Sequence, residues 1–176
     1  MREAVTAPRL RAFMRALAAE AREAGRIYIA GGASAVLQGW RESAIDVDCV
    51  IPSREDGEES CRRSLATLGM TLHINIELAS PADFVPPLRG WEERSPFIAR
   101  EGPLAFHHFD FYTQALAKLE RGHRKDLDDV EAMVQDGLVD PKRLADLFAD
   151  AEASLYRYPA VDPPTLRAAV ARLASR

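Results

Sequence analysis

Two carboxylates one residue apart, Asp46-Val47-Asp48, stand in a short apolar run, Ile45 to Ile51, that reads as a strand. Side chains two apart on a strand point to one face, so both carboxylates share a surface. At ~4 Å such a pair repels by roughly 4 kcal/mol at an effective dielectric of ~20. The pair is costly unless a cation sits between the two groups or one of them stays protonated. Mg²⁺ takes one or two protein carboxylates and completes its sphere with water and substrate phosphates. The spacing therefore suits a metal that carries a phosphorylated substrate. Upstream, Gly31-Gly32 follows the apolar run Arg26 to Ala30 and precedes a helical stretch. Glycines at such a turn let backbone amides approach an anion, and the helix N-terminus favours negative charge. Ser34 offers a hydroxyl that either meets a phosphate or caps the helix. Taken singly, each motif also has a plain structural meaning: a solvated acidic strand, or a tight strand-to-helix turn.

The elements that must position these residues follow from periodicity. Leu10, Phe13, Met14 and Leu17 recur at three- and four-residue steps, which predicts a helix over 8–24 stopped by Gly25. A buried strand over 26–30, the Gly-Gly turn and a helix over 33–38 ended by Gly39 come next. The Asp-x-Asp strand, 45–51, closes at Pro52, and a helix over 54–68 stops at Gly69. Residues 71–78 alternate: Leu72, Ile74, Ile76 and Leu78 face one way, His73, Asn75 and Glu77 the other. Residues 80–101 hold four prolines and read as a long loop, a lid or partner surface. A strand over 104–109 follows. Asp110 is a fitting N-cap for a helix over 111–121 that Gly122 interrupts. Helices are expected over 124–136, ended by Gly137, over 141–155 behind Asp140-Pro141, and over 164–174 behind Pro163-Pro164. The expected class is α/β (α+β): a small mixed sheet flanked by helices, with C-terminal helices. The expected division is an α/β core over 1–109 and a helical region over 110–176 packed on it.

The chain has 176 residues, room for one domain or a core with a helical appendage. No apolar run approaches the ~20 residues of a membrane span, so no membrane partner is expected. The N-terminus reads as an amphipathic helix and not a signal peptide. Cys49 and Cys61 have no metal-ligand spacing, and nothing argues for an oxidising compartment, which points to the cytoplasm. The net charge of −4 argues against broad non-specific nucleic-acid binding. A local basic stretch, Lys118, Arg121, His123, Arg124 and Lys125, fits an RNA backbone or a solvated helix junction. His107 and His108 are adjacent on a strand, so they point to opposite faces and cannot hold one ion; they read as structural. Trp40 and Trp91 read as core or loop anchors before base-stacking residues.

In combination the motifs are far more specific. Strand, Gly-Gly, one helix, Arg41 and Asp-x-Asp on the next strand form an order that resembles the nucleotidyltransferase superfamily. In particular it resembles the bacterial AbiEii-like and DUF6036-type families, often tied to toxin–antitoxin or phage-defence loci. The matching residues are Gly31 to Gly39, Arg41 and Asp46-Val47-Asp48. A second block also matches: Ala117 to Gly122, then Lys125-Asp126-Leu127-Asp128-Asp129. Similar families carry a lysine on a helix followed by an arginine and an Asp-x-x-Asp. The resemblance spans roughly residues 26–136.

What the resemblance implies is a nucleotidyltransferase-like fold and metal-dependent transfer of a nucleoside monophosphate from an NTP. The acceptor would be an RNA such as a tRNA 3′ end, a protein hydroxyl or a small alcohol. Asp46 and Asp48 would hold Mg²⁺ (or Mn²⁺) across the phosphates. A third carboxylate would activate the acceptor or share a second metal ~3.5–4 Å away. Glu77 is the candidate, with Asp110 its rival. Gly31, Gly32, Ser34 and Arg41, with Lys118 and Arg121, would meet the phosphates. Asp126 and Asp129, three apart, would position Lys118 or Arg121 or cap the helix junction. A toxin-like role with a cognate antitoxin is the family's company. Two departures stand out: Ala44 occupies the place where a hydroxyl residue is common before the Asp-x-Asp strand, and the third acid is Glu. With the acidic net charge, they motivate an alternative, a non-catalytic nucleotide- or partner-binding module on the same fold. A helical interaction protein whose motifs are coincidental is the plainest option.

Overall fold

The computed structural model describes the backbone of residues 3–51 and 58–176, and the side chains of 3–51 and 64–176. The chain divides into two compact units, Met1–Ser80 with Pro96–Phe109, and Pro81–Ser95 with Asp110–Arg176.

In the first unit, α1 (Ala7–Glu20) buries Leu10, Phe13, Met14, Leu17 and Ala18, one apolar stripe. It ends before the expected stop. No large apolar residue after Leu17 continues the stripe, and Ala21 is already extended, its N–H donated back to the Leu17 carbonyl. Gly25 instead begins β1 (Gly25–Ala30). The chain then enters α2 (Gly31–Gln38), which starts at the Gly-Gly itself and ends at Gly39 with φ 95°. β2 (Asp46–Val50) follows, its Val47 and Cys49 buried. The closure of this strand at Pro52 and the start of the next helix at 54 lie outside the described residues.

α3 (Glu58–Thr71) runs through Gly69 instead of stopping there. A Cβ on Gly69 would stand 3.2 Å from the Ile74 carbonyl oxygen, so this glycine allows the returning chain to approach the helix. The return is made at His73, which adopts φ 53°. The alternating stretch therefore yields a strand only at β3 (Asn75–Leu78), while Leu72 and His73 belong to the turn. The expected loop over 80–101 is not one segment. Its last residues form β4 (Phe97–Glu101), joined through Gly102-Pro103 to β5 (Leu104–His108). β4 is an edge strand with neither face fully buried, so it lacks the alternation that marks a strand in sequence.

The five strands form one mixed sheet in the order β3-β2-β1-β5-β4. β1 pairs antiparallel with β2 and parallel with β5; β2 and β3 are parallel. β4 and β5 form the antiparallel hairpin. Ile27 and Ile29 of β1, Val47 and Cys49 of β2, and Phe106 of β5 join the stripe of α1 in one apolar core, with Leu65 and Leu68 of α3. The mixed sheet with helices against it is the architecture that the order of elements implies.

In the second unit, Pro81–Asp83 forms a 3₁₀ turn and α4 (Trp91–Arg94) a single helical turn. α5 (Phe111–Arg121), α6 (Arg124–Gln135), α7 (Pro141–Ala151) and α8 (Pro163–Ala174) follow, with 3₁₀ turns over Glu152–Arg157 taking the end of the expected helix 141–155. Leu116, Met133, Leu144 and Phe148 are among its buried residues. Asp140 and Asp162 cap α7 and α8 through the N–H groups of Arg143 and Thr165. Among the described residues, no helix is long and apolar enough to cross a membrane.

Asp110 caps α5 and does more. Its carboxylate is fully buried and accepts from the Thr113 N–H at 3.1 Å and the Thr113 hydroxyl at 2.7 Å. Arg94 donates to the same carboxylate through Nη2 at 2.8 Å and Nε at 3.1 Å. The guanidinium also donates to the carbonyls of Arg89 and Leu88. One buried pair thus ties α4 to the start of α5. Removing one partner of such a pair strands the other charge. Asp110→Ala is expected to lower the unfolding free energy by about 3–5 kcal/mol in urea titrations. A loss below about 1 kcal/mol, the level of a surface pair, would contradict this reading.

Candidate functional site

The register of two neighbouring strands builds the site. β2 and β3 run parallel, with Asp46 opposite Asn75 and Asp48 opposite Glu77. Side chains two apart share a face on each strand, and these pairings bring the acids together. Asp46, Asp48 and Glu77 each offer a carboxylate oxygen, and these oxygens lie within 4.8 Å of one another. Asp46 and Asp48 are half-buried, Glu77 exposed. Burial, and next the negative charge of Glu77, raise the Asp46 carboxyl above its ordinary value; a backbone hydrogen bond offsets part of this. Like charges here thus already work against full ionisation.

The donor set suits a hard cation. Mg²⁺ and Ca²⁺ both take oxygen ligands, Mg²⁺ at about 2.0–2.1 Å. Two oxygens on opposite sides of Mg²⁺ sit about 4.1 Å apart on that bond length. Oxygens spread over no more than 4.8 Å reach such spacing by small side-chain rotations. A cation there would also offset the part of the Asp46 rise that comes from the charge of Glu77. Asp46, Asp48 and Glu77 are the residues that would hold it.

Gly31 is what leaves room for Asp48. It has φ 59°, the left-handed region that favours glycine, and a Cβ built on it would stand 2.2 Å from Asp48 Oδ2. Two independent constraints, conformation and space, therefore fall on one residue. They place the Asp48 carboxylate against the first residue of α2, where the helix dipole favours a negative group. Gly32 is nearly as confined: a Cβ there would lie 3.0 Å from the Ala44 Cβ and 3.5 Å from Arg41 Nη1. The Arg41 guanidinium thus lies beside the Gly-Gly turn, and Ala44, where a hydroxyl residue is common, closes in on it.

Ser34 has a different setting from its glycine neighbours. It is fully buried, with Oγ 2.8 Å from His108 Nδ1, and it lies inside α2, whose N-cap is Ala30. Gln38 Nε2 lies 3.1 Å from His108 Nε2. With the Gln38 amide donating to Nε2, Nδ1 carries the proton and donates to Ser34 Oγ. Burial, then the neighbouring His107, lower His108 to about 4, so it is neutral at physiological pH. His108 therefore fastens the middle and the last residue of α2 to β5. His107 stacks at an angle on Tyr28 and meets Phe97 edge-on, an aromatic setting.

The second matching block lies in the second unit. Lys118 is 3% exposed, its Nζ 2.6 Å from Asp129 Oδ2 and 3.3 Å from Asp126 Oδ1. Arg121 Nη2 donates to Asp126 Oδ1 at 2.7 Å. Two cations and two anions close a balanced network between α5 and α6. Asp110, the rival third acid, is committed to Arg94 and the start of α5. Asn75 is the residue whose contact the strand pattern did not single out: its Nδ2 donates to Glu77 Oε1 at 2.6 Å. Alternation placed the two side by side, but nothing in the sequence specifies a hydrogen bond along one strand.

A family model described as "Nucleotidyltransferase of unknown function (DUF6036)" matches residues 8–162. This is most of the chain, and the chain belongs to that family. No curated protein and no solved structure matches it.

The Gly31 geometry generates a direct test. Gly31→Ala adds a methyl where Asp48 Oδ2 lies, so the carboxylate must move or the turn must open. Mn²⁺ affinity, titrated by calorimetry, is expected to fall at least tenfold, with the circular-dichroism spectrum retained. Unchanged affinity would show that Asp48 does not need this place.

Proposed function

We propose that this member of a nucleotidyltransferase family transfers a nucleoside monophosphate from an NTP to an acceptor hydroxyl, with Mg²⁺ or Mn²⁺ as the resident cation. The observation that carries the reading is the convergence of Asp46, Asp48 and Glu77 within 4.8 Å beside a glycine that cannot carry a side chain. Family membership supplies the reaction class.

Asp46 and Asp48, with Glu77 completing the set, would hold the cation, which when bound offsets the charge of the triphosphate and of the leaving pyrophosphate. The acceptor oxygen forms a bond to the α-phosphorus. The bond from that phosphorus to the bridging oxygen breaks, and pyrophosphate leaves with the electron pair. The acceptor proton passes to a base, and Glu77 is the exposed carboxylate of the cluster that can take it, or it shares a second cation. Gly31 and Gly32 are assigned to the phosphates because the turn brings backbone to the start of α2, with Arg41 beside it. Lys118 and Arg121 are assigned to the phosphates on the family pattern alone, with Asp126 and Asp129 as their supports. The Ser34 hydroxyl is fully buried and accepts from His108, so we place it as a support of α2.

An RNA acceptor, tRNA above all, and a toxin-type setting with a cognate protein partner extend this reading; the AbiEii-like resemblance supports them. A binding module without turnover is the competing account. Label transfer separates them. The protein is incubated with Mg²⁺, each α-labelled NTP and total RNA, beside Asp46→Asn/Asp48→Asn. Label in RNA or in the protein itself, lost at least a hundredfold in the double variant, is the expected result. NTP binding without transfer to RNA, protein or small alcohols would favour the binding module.

A further inference from the structure

The two parallel strands carry a square of four polar side chains. Asp46 and Asp48 form one edge, Asn75 and Glu77 the other, and the register pairs them corner to corner. Three corners are acids; the fourth, Asn75, is neutral. We propose that Asn75 is a positioning residue that turns Glu77 toward Asp46 and Asp48 and so completes the cation-binding set. This inference rests on the metal-centre reading of those three acids.

The geometry favours the assignment in three ways. Glu77 is exposed and long, so strand placement alone does not fix where its carboxylate points. Asn75 is shorter, half-buried and set opposite Asp46, a firmer anchor. Its Nδ2 donates to Oε1 of Glu77 at 2.6 Å, which holds the carboxylate and takes only one of its roughly four lone-pair sites. An amide is also the suitable chemistry at that corner. It donates a hydrogen bond to an anion without adding charge, whereas an acid would put a fourth carboxylate into the square. Partners of this kind, one step removed from the metal, orient the ligand and influence affinity strongly.

A double-mutant cycle on the full chain tests the proposal, with Mn²⁺ affinity read from the electron paramagnetic resonance signal of free Mn²⁺. Asn75→Leu removes the donor at similar volume; Glu77→Ala removes the group it acts on. Asn75→Leu is expected to weaken Mn²⁺ binding roughly tenfold in the natural background. In the Glu77→Ala background it is expected to change nothing, because its effect runs through Glu77. An equal loss in both backgrounds, or no loss in either, overturns the positioning role and leaves the metal centre standing. Failure of the unsubstituted chain to bind Mn²⁺, or binding indifferent to Asp46→Asn, overturns the metal centre itself and this inference with it. Should Asn75→Leu unfold, as melting in EDTA would reveal, Asn75→Val keeps strand propensity and is read in the same cycle.

Discussion

Like charges held close together must be opposed by something, and in this protein that constraint organises the first unit. Asp46, Asp48 and Glu77 are brought within 4.8 Å by strand register, not by any attraction among themselves. The backbone hydrogen bonds of β2 and β3 supply the restraint, and the apolar faces of the same strands supply the energy. Val47 and Cys49, which alternate with the acids along β2, are fully buried, so sliding the strand by one residue would drive the acids into the core. The hydrophobic alternation that builds the core is thus the same alternation that assembles the acids. The Asp46 carboxyl is raised first by burial and then by the charge of Glu77, and the second cause is the local mark of that arrangement.

The second unit handles buried charge in the opposite way. Asp110 is met by Arg94, and Lys118 and Arg121 are met by Asp126 and Asp129, with every one of these pairs within 3.3 Å. Those networks balance, and each joins two elements: α4 to α5, and α5 to α6. A balanced network with buried members is expensive to disturb from either side, which suits the fixed placement of those side chains. The acidic cluster of the first unit is of one sign, which suits a ligand of the other sign. His108 adds a third kind of fastening, a neutral one, since its low pKa keeps it uncharged between Ser34 and Gln38.

Much of this was legible in the sequence because the relevant signals are local. Strand alternation put Asp46 with Asp48 and made Glu77 a candidate; Asp110 and Asp140 stand where helix caps belong. What escaped was whatever depends on tertiary contact. α1 ends early because its apolar stripe runs out, not because Gly25 breaks it. α3 continues through Gly69, since that glycine serves a close approach and not a stop. β4 hid inside a proline-rich stretch because an edge strand with two half-exposed faces shows no alternation. Ser34 read as a phosphate ligand or a cap; His108, 74 residues away, is its partner. The crowding of Gly31 by Asp48 could not be read either, because it exists only once β1 and β2 are paired.

The measurement closest to the central claim is anomalous diffraction from crystals of the protein grown with Mn²⁺. The account predicts an anomalous peak bounded by Asp46, Asp48 and Glu77, each contributing an oxygen at about 2.2 Å, near the Mg²⁺ distance for the same ligand type. A peak elsewhere, or an ordered site whose three carboxylates bind no metal at saturating Mn²⁺, would contradict it.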